Sequence, residues 1–200
     1  MSEALRPAGR TDPRAFRGLE LRVHSLLDDV PLHDVWAAPL ANGGPGRTIR
    51  DVRAVFSGDR VTGASGGVRS LFAVRALLGR LFGWDRERPE RAGLSYLARL
   101  TEADRSKSLV APGSRDGPFR TLYVFPNEAV SEVQNATVHA FSALALIERT
   151  DGYTLYWAIY VKPGSHLTRL YMAVIDPFRR LIVYPVLLRS LQTAWSSTYS

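Results

Sequence analysis

The 200-residue sequence predicts an α+β fold, a curved antiparallel sheet wrapped around one long C-terminal helix, and three features carry that reading. Residues 119–162 hold four consecutive segments, FRTLYVF, AVSEVQNA, VHAFSALALIE and YTLYWAIYV, rich in β-branched and aromatic residues and separated by short breaks. Residues 165–195 read as a single helix, apolar over most of its circumference, which must be covered by something large. The strands run together and do not alternate with helices, which separates this pattern from a doubly wound sheet and places the helices to one side.

The elements follow in order. Residues 1–18 carry Arg6, Arg10, Arg14 and Arg17 with two prolines and little to bury, so they read as a flexible basic arm. The rest, 19–200, reads as one domain. Residues 19–27, LELRVHSLL, alternate as a half-buried first strand would, and Asp28, Asp29 and Pro31 stop it. His33, Asp34, Val35 and Trp36 open a short helix or turn, closed by Pro39 and the ANGGPG loop. Residues 51–56 are a short strand or helix. GDRVTGASGG, at 58–67, is a connector, since it matches neither GxxxxGK[ST] nor GxGxxG. Residues 68–84 read as a helix with Leu71, Val74, Leu78 and Leu81 or Phe82 on one side. A loop-rich insertion spans 85–118, with a short helical or extended piece around 94–100. In the meander, Asp151-Gly152 is a hairpin signal between the third and fourth strands. Within the closing helix, Pro177 and Pro185 each remove an amide donor and should kink or open it.

The chain has no cysteine, which excludes disulfides, thiolate metal sites and cysteine nucleophiles. Its first residues lack the apolar core of a secretory signal, and no stretch reaches the roughly 18 uninterrupted apolar residues of a membrane span, so a cytoplasmic protein is expected. The net charge of +7 comes almost wholly from arginine, with lysine only at 107 and 162. Arg169, Arg179, Arg180 and Arg189 could rest the last helix on an anionic membrane, or could be its solvent edge. No basic recognition helix or stacking motif points to nucleic acid.

Histidines 24, 33, 139 and 166 show no metal-ligand spacing, no GxSxG is present, and Glu128 and Glu132, on one strand face, read as solvated. No catalytic constellation and no cofactor are expected. In the last strand Tyr153, Leu155, Trp157, Ile159 and Val161 form the more apolar face and should meet the helix. In its neighbour, His139, Phe141, Ala143, Ala145 and Ile147 oppose Val138, Ala140, Ser142, Leu144 and Leu146. Neither set is polar, so that strand is expected to be covered on both faces. Small residues at 143 and 145 beside large ones at 141 and 157 would leave space under the sheet. The cavity-lining candidates are His139, Phe141, Ala143, Leu155, Trp157 and Ile159 from the sheet, with Tyr171, Val174 and Phe178 from the helix.

The succession of first strand, early helix and a meander ending in YWAIYVKPGSHLTRLYMAVIDPFRRLIVYPVLLRSLQTAW resembles a bacterial family of unknown function within the helix-grip superfamily (START-like, polyketide-cyclase-like, SRPBCC). The likeness is sharpest at 160–195, in the Pro177-Phe178 pair, the basic pair after it and the aliphatic run that follows. It implies a cavity between sheet and C-terminal helix for an apolar or amphipathic small molecule. Two positions depart from the family pattern: Arg179 stands where Pro-Phe is often followed by histidine, and Thr137-Val138 precede His139 where an acidic residue is usual. Three readings follow: a binding module, a cyclase- or hydratase-like enzyme using His139, Tyr156 or Asp176, and a structural or partner-binding domain whose own side chains fill the cavity.

Overall fold

A computed structural model describes residues 8–57, 95–134, 139–162, 176–177 and 179–199. In chain order these form β1 (Gly9–Arg10), α1 (Pro13–Arg17), α2 (Arg22–Leu26), β2 (Leu32–Ala41), α3 (Ile49–Ser57), a 3₁₀ turn (Tyr96–Arg99), α4 (Glu102–Lys107), β3 (Arg115–Asp116), β4 (Phe119–Val124), β5 (Glu128–Gln134), β6 (His139–Arg149), β7 (Gly152–Val161), a π turn (Arg179–Val183) and α5 (Tyr184–Thr198). The helix expected at 68–84 and the glycine loop before it lie outside the described residues, as do residues 163–175.

Among the described residues the strands make one seven-stranded antiparallel sheet in the order β1-β2-β7-β6-β5-β4-β3. The four-strand meander is therefore present as read, and the chain's first long strand closes onto its last. Gly152 accounts for the β6–β7 turn: its φ of 139° is open only to glycine, and a Cβ there would sit 2.3 Å from the Leu40 carbonyl oxygen.

Antiparallel pairing puts directly opposed residues on one face. Leu144 opposes Trp157 and Leu146 opposes Leu155, whereas Phe141 opposes Tyr160 and Ala143 opposes Ala158. The first face packs on α3 and α5, with Trp36, Ala38, Leu40, Leu155 and Ile159 against Ile49, Val52, Leu188, Leu191 and Trp195. The second face carries its own core, in which Phe141, Ala143, Ala145, Ala158 and Tyr160 meet Phe16, Val23, Leu26, Tyr96 and Leu100. β6 is thus covered on both faces, and the apolar face of β7 does meet the C-terminal helix. Helices lie on both sides of the sheet and are not segregated to one.

Several local expectations change. Residues 8–18 are built into the fold: β1 pairs with Trp36 and Ala37, and Phe16 of α1 is 0% exposed. The stretch read as a first strand is α2, because a buried carboxylate from β5 receives its leading amides. Residues 33–36 lie in β2, not in a helix or turn. That strand tolerates Pro39 because β1 ends before reaching it. The carbonyls of Pro39 and Ala41, facing that open edge, accept hydrogen bonds from Gln192 Nε2 (2.8 Å) and Trp195 Nε1 (3.1 Å) of α5. Residues 51–56 are helical, and the piece around 94–100 is the 3₁₀ turn. In the closing helix, Pro185 removes the donor for the Leu181 carbonyl, and the chain takes the wider π turn just ahead of it.

Candidate functional site

Two groups of polar side chains are buried against the sheet, one on each face. On the helix-facing side, the β2–β7 register slips between Leu32 and Asp34, so His33 is the extra residue of a bulge and its ring is turned toward the start of the C-terminal helix. His33 Nε2 lies 2.5 Å from Asp176 Oδ2 and 3.1 Å from Arg180 Nη2. One ring nitrogen cannot donate to a carboxylate and accept from a guanidinium at once, and the shorter contact fits donation to Asp176. Arg180 Nε donates to Asp34 Oδ2 at 3.3 Å, Arg179 Nη1 to Asp176 Oδ1 at 3.3 Å, and Arg179 Nε to the Tyr184 hydroxyl at 2.8 Å. Burial pushes the Tyr184 phenol up to about 12, with Arg179 opposing the shift, so it stays a neutral acceptor and donor.

The Tyr184 ring sits between two indoles, with centroids 5.1 Å from Trp36 and 4.9 Å from Trp157, and Trp157 Nε1 donates to Ser142 Oγ at 2.8 Å. Asp34 and Trp36 differ from their neighbours in one respect. Asp34 is 0% exposed and Trp36 5%, yet Asp34 Oδ1 and Trp36 Nε1 are buried without a hydrogen-bond partner among the described residues. Each such atom costs about 1–3 kcal/mol relative to a satisfied one.

On the opposite face, Glu128 and Glu132 point the same way from β5 and are 3% and 2% exposed. They are not solvated, because each takes the free amides at the start of a short helical element. Glu128 accepts from the amides of Arg22 (2.7 Å) and Val23 (3.3 Å) at the head of α2 and from the Tyr123 hydroxyl (3.2 Å). Glu132 accepts from the Tyr96 amide (3.1 Å), the Ser95 hydroxyl and His139 Nε2 (3.4 Å). Burial raises the Glu128 carboxyl despite those bonds. At Glu132 burial pushes upward too, but the bonds from His139, Ser95 and Tyr96 outweigh it and hold the carboxyl low. The acid absent from the sequence beside His139 is supplied across the sheet by Glu132. The His139 ring is otherwise enclosed by Tyr96 and Phe141, with centroids at 5.6 and 4.6 Å.

The candidate lining residues therefore divide. Leu155, Trp157 and Ile159 share the helix-facing side, while His139, Phe141 and Ala143 lie on the other face and cannot line the same space. Tyr171, Val174 and Phe178 lie outside the described residues. Arg179 and Arg180 are drawn into the ion cluster and away from a solvent edge, whereas Arg189 is exposed. Sequence reasoning passed over Asp34, Trp36 and Tyr184. The legible signal was an acid and an indole, Asp34 and Trp36, at alternate positions of a strand, but residues 33–36 were not read as strand.

The match to a family model decides the chain's affiliation: Protein of unknown function (DUF2867) covers residues 26–186. The chain belongs to the DUF2867 family. No curated protein and no solved structure matches it. The DUF2867 match runs from the end of α2 through the meander to the first turn of α5, so His33, Asp34, Trp36, Glu132, His139, Asp176 and Tyr184 all fall within it. Among the described residues no group of histidine and carboxylate side chains is arranged to hold a metal ion, and no helix is long and apolar enough to cross a membrane.

Proposed function

We propose that this DUF2867 protein is a binding module for an apolar or amphipathic small molecule held between the sheet and the C-terminal helix. The ligand's polar end would meet Asp34 and Trp36, and its apolar body Leu155, Trp157 and Ile159 with Tyr171, Val174 and Phe178. The observation that carries this reading is the pair of buried polar atoms without a partner among the described residues, Asp34 Oδ1 and Trp36 Nε1, beside an aromatic cluster on the helix-facing side. A ligand with one donor and one acceptor next to an apolar body answers both. The helix-grip superfamily is part of the same proposal, supported by the pairing of β2 with β7 and by the C-terminal helix lying on that face. Peripheral contact with an anionic membrane would rest on Arg189 with the exposed Leu181 and Ile182, since Arg179 and Arg180 are engaged with Asp34, Asp176 and Tyr184.

A cyclase- or hydratase-like proton transfer has two histidine–carboxylate pairs in its favour, Glu132–His139 and His33–Asp176, the second bound up with Arg179 and Arg180. His139 Nε2 is turned toward Glu132 and its ring is packed among aromatics, which suits a structural contact, so the binding reading stands first. Native mass spectrometry of protein purified from its host tests it. The expected result is an added mass that is lost on denaturation and whose occupancy falls in Asp34→Ala and Trp36→Phe proteins that keep their circular dichroism. Empty protein across several preparations would overturn it.

A further inference from the structure

The ANGGPG loop that follows β2 holds the far end of α5 through its main chain. The Ala41 carbonyl accepts from Trp195 Nε1 at 3.1 Å, the Gly43 carbonyl from Arg47 Nε at 2.6 Å and the Gly44 carbonyl from the Tyr153 hydroxyl at 2.7 Å. Arg47 in turn lies over the Tyr199 ring, 4.1 Å from its centroid, and the rings of Tyr153 and Tyr199 meet Trp195 edge-on.

Two requirements of this packing choose the residues at 42 and 43. The chain is left-handed at residue 42 (φ 62°), where its amide donates to the Asp151 carbonyl at 3.2 Å, and asparagine is among the few side chains that accept such a φ. Residue 43 has a φ of 99°, and a Cβ there would stand 2.9 Å from Trp195 Cζ2, which leaves glycine. Together they make an Asn-Gly pair, and of the asparagines at 42, 127 and 135 only Asn42 precedes glycine. A glycine in that place puts no side chain in the way of its own amide nitrogen as it closes on the asparagine carboxamide carbon. Asn42 is exposed, and neither its carboxamide nor the Gly43 N–H makes a hydrogen bond among the described residues, so neither reacting group is tied down.

We infer that Asn42-Gly43 is a site of spontaneous main-chain modification. The Gly43 nitrogen bonds to Asn42 Cγ, the Cγ–Nδ2 bond breaks, and Nδ2 leaves as ammonia with the Gly43 amide proton, which closes a succinimide ring. Water opens the ring at Cγ to give aspartate, or at the Asn42 main-chain carbonyl carbon to give isoaspartate, in which the chain runs through Cβ and Cγ. Isoaspartate lengthens the main chain by one carbon beside a glycine with no room against Trp195. It therefore displaces the carbonyls that hold Trp195, Arg47 and Tyr153 and loosens the end of α5. The site stands independently of any ligand between sheet and helix.

Incubation of the full chain at mildly alkaline pH tests it, followed by tryptic mapping of residues 23–47, which contain no other asparagine. A rising share of peptide with OH in place of NH2 is expected, with isoaspartate, detected by isoaspartyl methyltransferase, in excess over aspartate. The Trp195 indole resonance should move while those of Trp36 and Trp157 stay. The melting midpoint should fall by about 2–4 °C, as when one hydrogen bond is lost from a chain of this size. Asn42→Gly, which keeps the left-handed turn and removes the carboxamide, should show none of these changes. A 23–47 peptide that stays unchanged in the folded chain, while a synthetic peptide of residues 38–46 converts, would overturn the site. Conversion that leaves the Trp195 resonance unmoved would overturn the loosening of α5.

Discussion

Asp104, Glu128 and Glu132 tie the short N-terminal helices to the sheet face opposite α5, and their charges respond to pH in opposite senses. Asp104 takes a forked contact from Arg22 (Nε 3.0 Å, Nη2 2.9 Å) and caps α4 with Thr101, and the Arg22 bonds above all bring its carboxyl down to about 2. A carboxylate lowered on folding adds stability that is complete above its unfolded pKa near ~4 and disappears as pH falls through the folded value. Asp104 should therefore lose its contribution between about pH 4 and pH 2. Asp104→Asn is expected to cost about 1–2 kcal/mol at pH 7 and close to nothing at about pH 2, read from urea melts at the two pH values. Glu132, also lowered, behaves in the same sense. Glu128 is raised, so its contribution is present below its unfolded pKa and fades as pH rises through its folded one. Glu132→Gln, which sets an amide donor against the Ser95 and Tyr96 donors and removes the charge facing His139, should cost about 2–3 kcal/mol at pH 7. Glu128→Gln sets the same amide donor against the Arg22, Val23 and Tyr123 donors but removes a charge that burial disfavours, so it should cost less than Glu132→Gln, about 1–2 kcal/mol in the same melts.

At the scale of elements, the chain is legible where local pattern and tertiary setting agree. The four strands of the meander were readable because β-branched and aromatic runs are broken by real turns, and the Asp151-Gly152 signal marks the β6–β7 turn. Gly152→Ala should then cost about 3 kcal/mol or more in a thermal melt, because both the φ of 139° and the 2.3 Å approach to the Leu40 carbonyl involve backbone that cannot move aside. The stretch 19–27 alternates like a strand and still folds as α2, since the decisive contact, Glu128 on the Arg22 and Val23 amides, comes from more than 100 residues away. Pro39 argued against a strand through 33–41, but its missing donor falls on the edge that β1 leaves open, where Gln192 and Trp195 take up the Pro39 and Ala41 carbonyls. The site shared that fate: Asp34 and Trp36 alternate toward the helix only once β2 is known to be a strand, and Glu132 meets His139 only through the β5–β6 register.

At the scale of the whole molecule, the sheet separates two apolar cores, and this explains why a list of lining residues drawn from β6 and β7 could not describe one cavity. Sequence alternation defines two faces for each strand but leaves open which face of one strand matches which face of the next. That is set by register, and here Leu144, not Ala143, stands opposite Trp157. Phe16 belongs to the core under α1 and α2, and Leu191 to the core under α5, and both are 0% exposed. Phe16→Ala is expected to destabilise by about 3–5 kcal/mol and Leu191→Ala by about 2–5 kcal/mol, each leaving a cavity that its neighbours fill only in part. The two residues belong to separate cores on opposite faces of the sheet, so the double variant should equal the sum of the single ones to within about 0.5 kcal/mol. Denaturant melts of the four proteins measure this. A coupling well above that value would mean that the sheet transmits packing strain from one core to the other, and that the two faces do not act as independent halves of the fold.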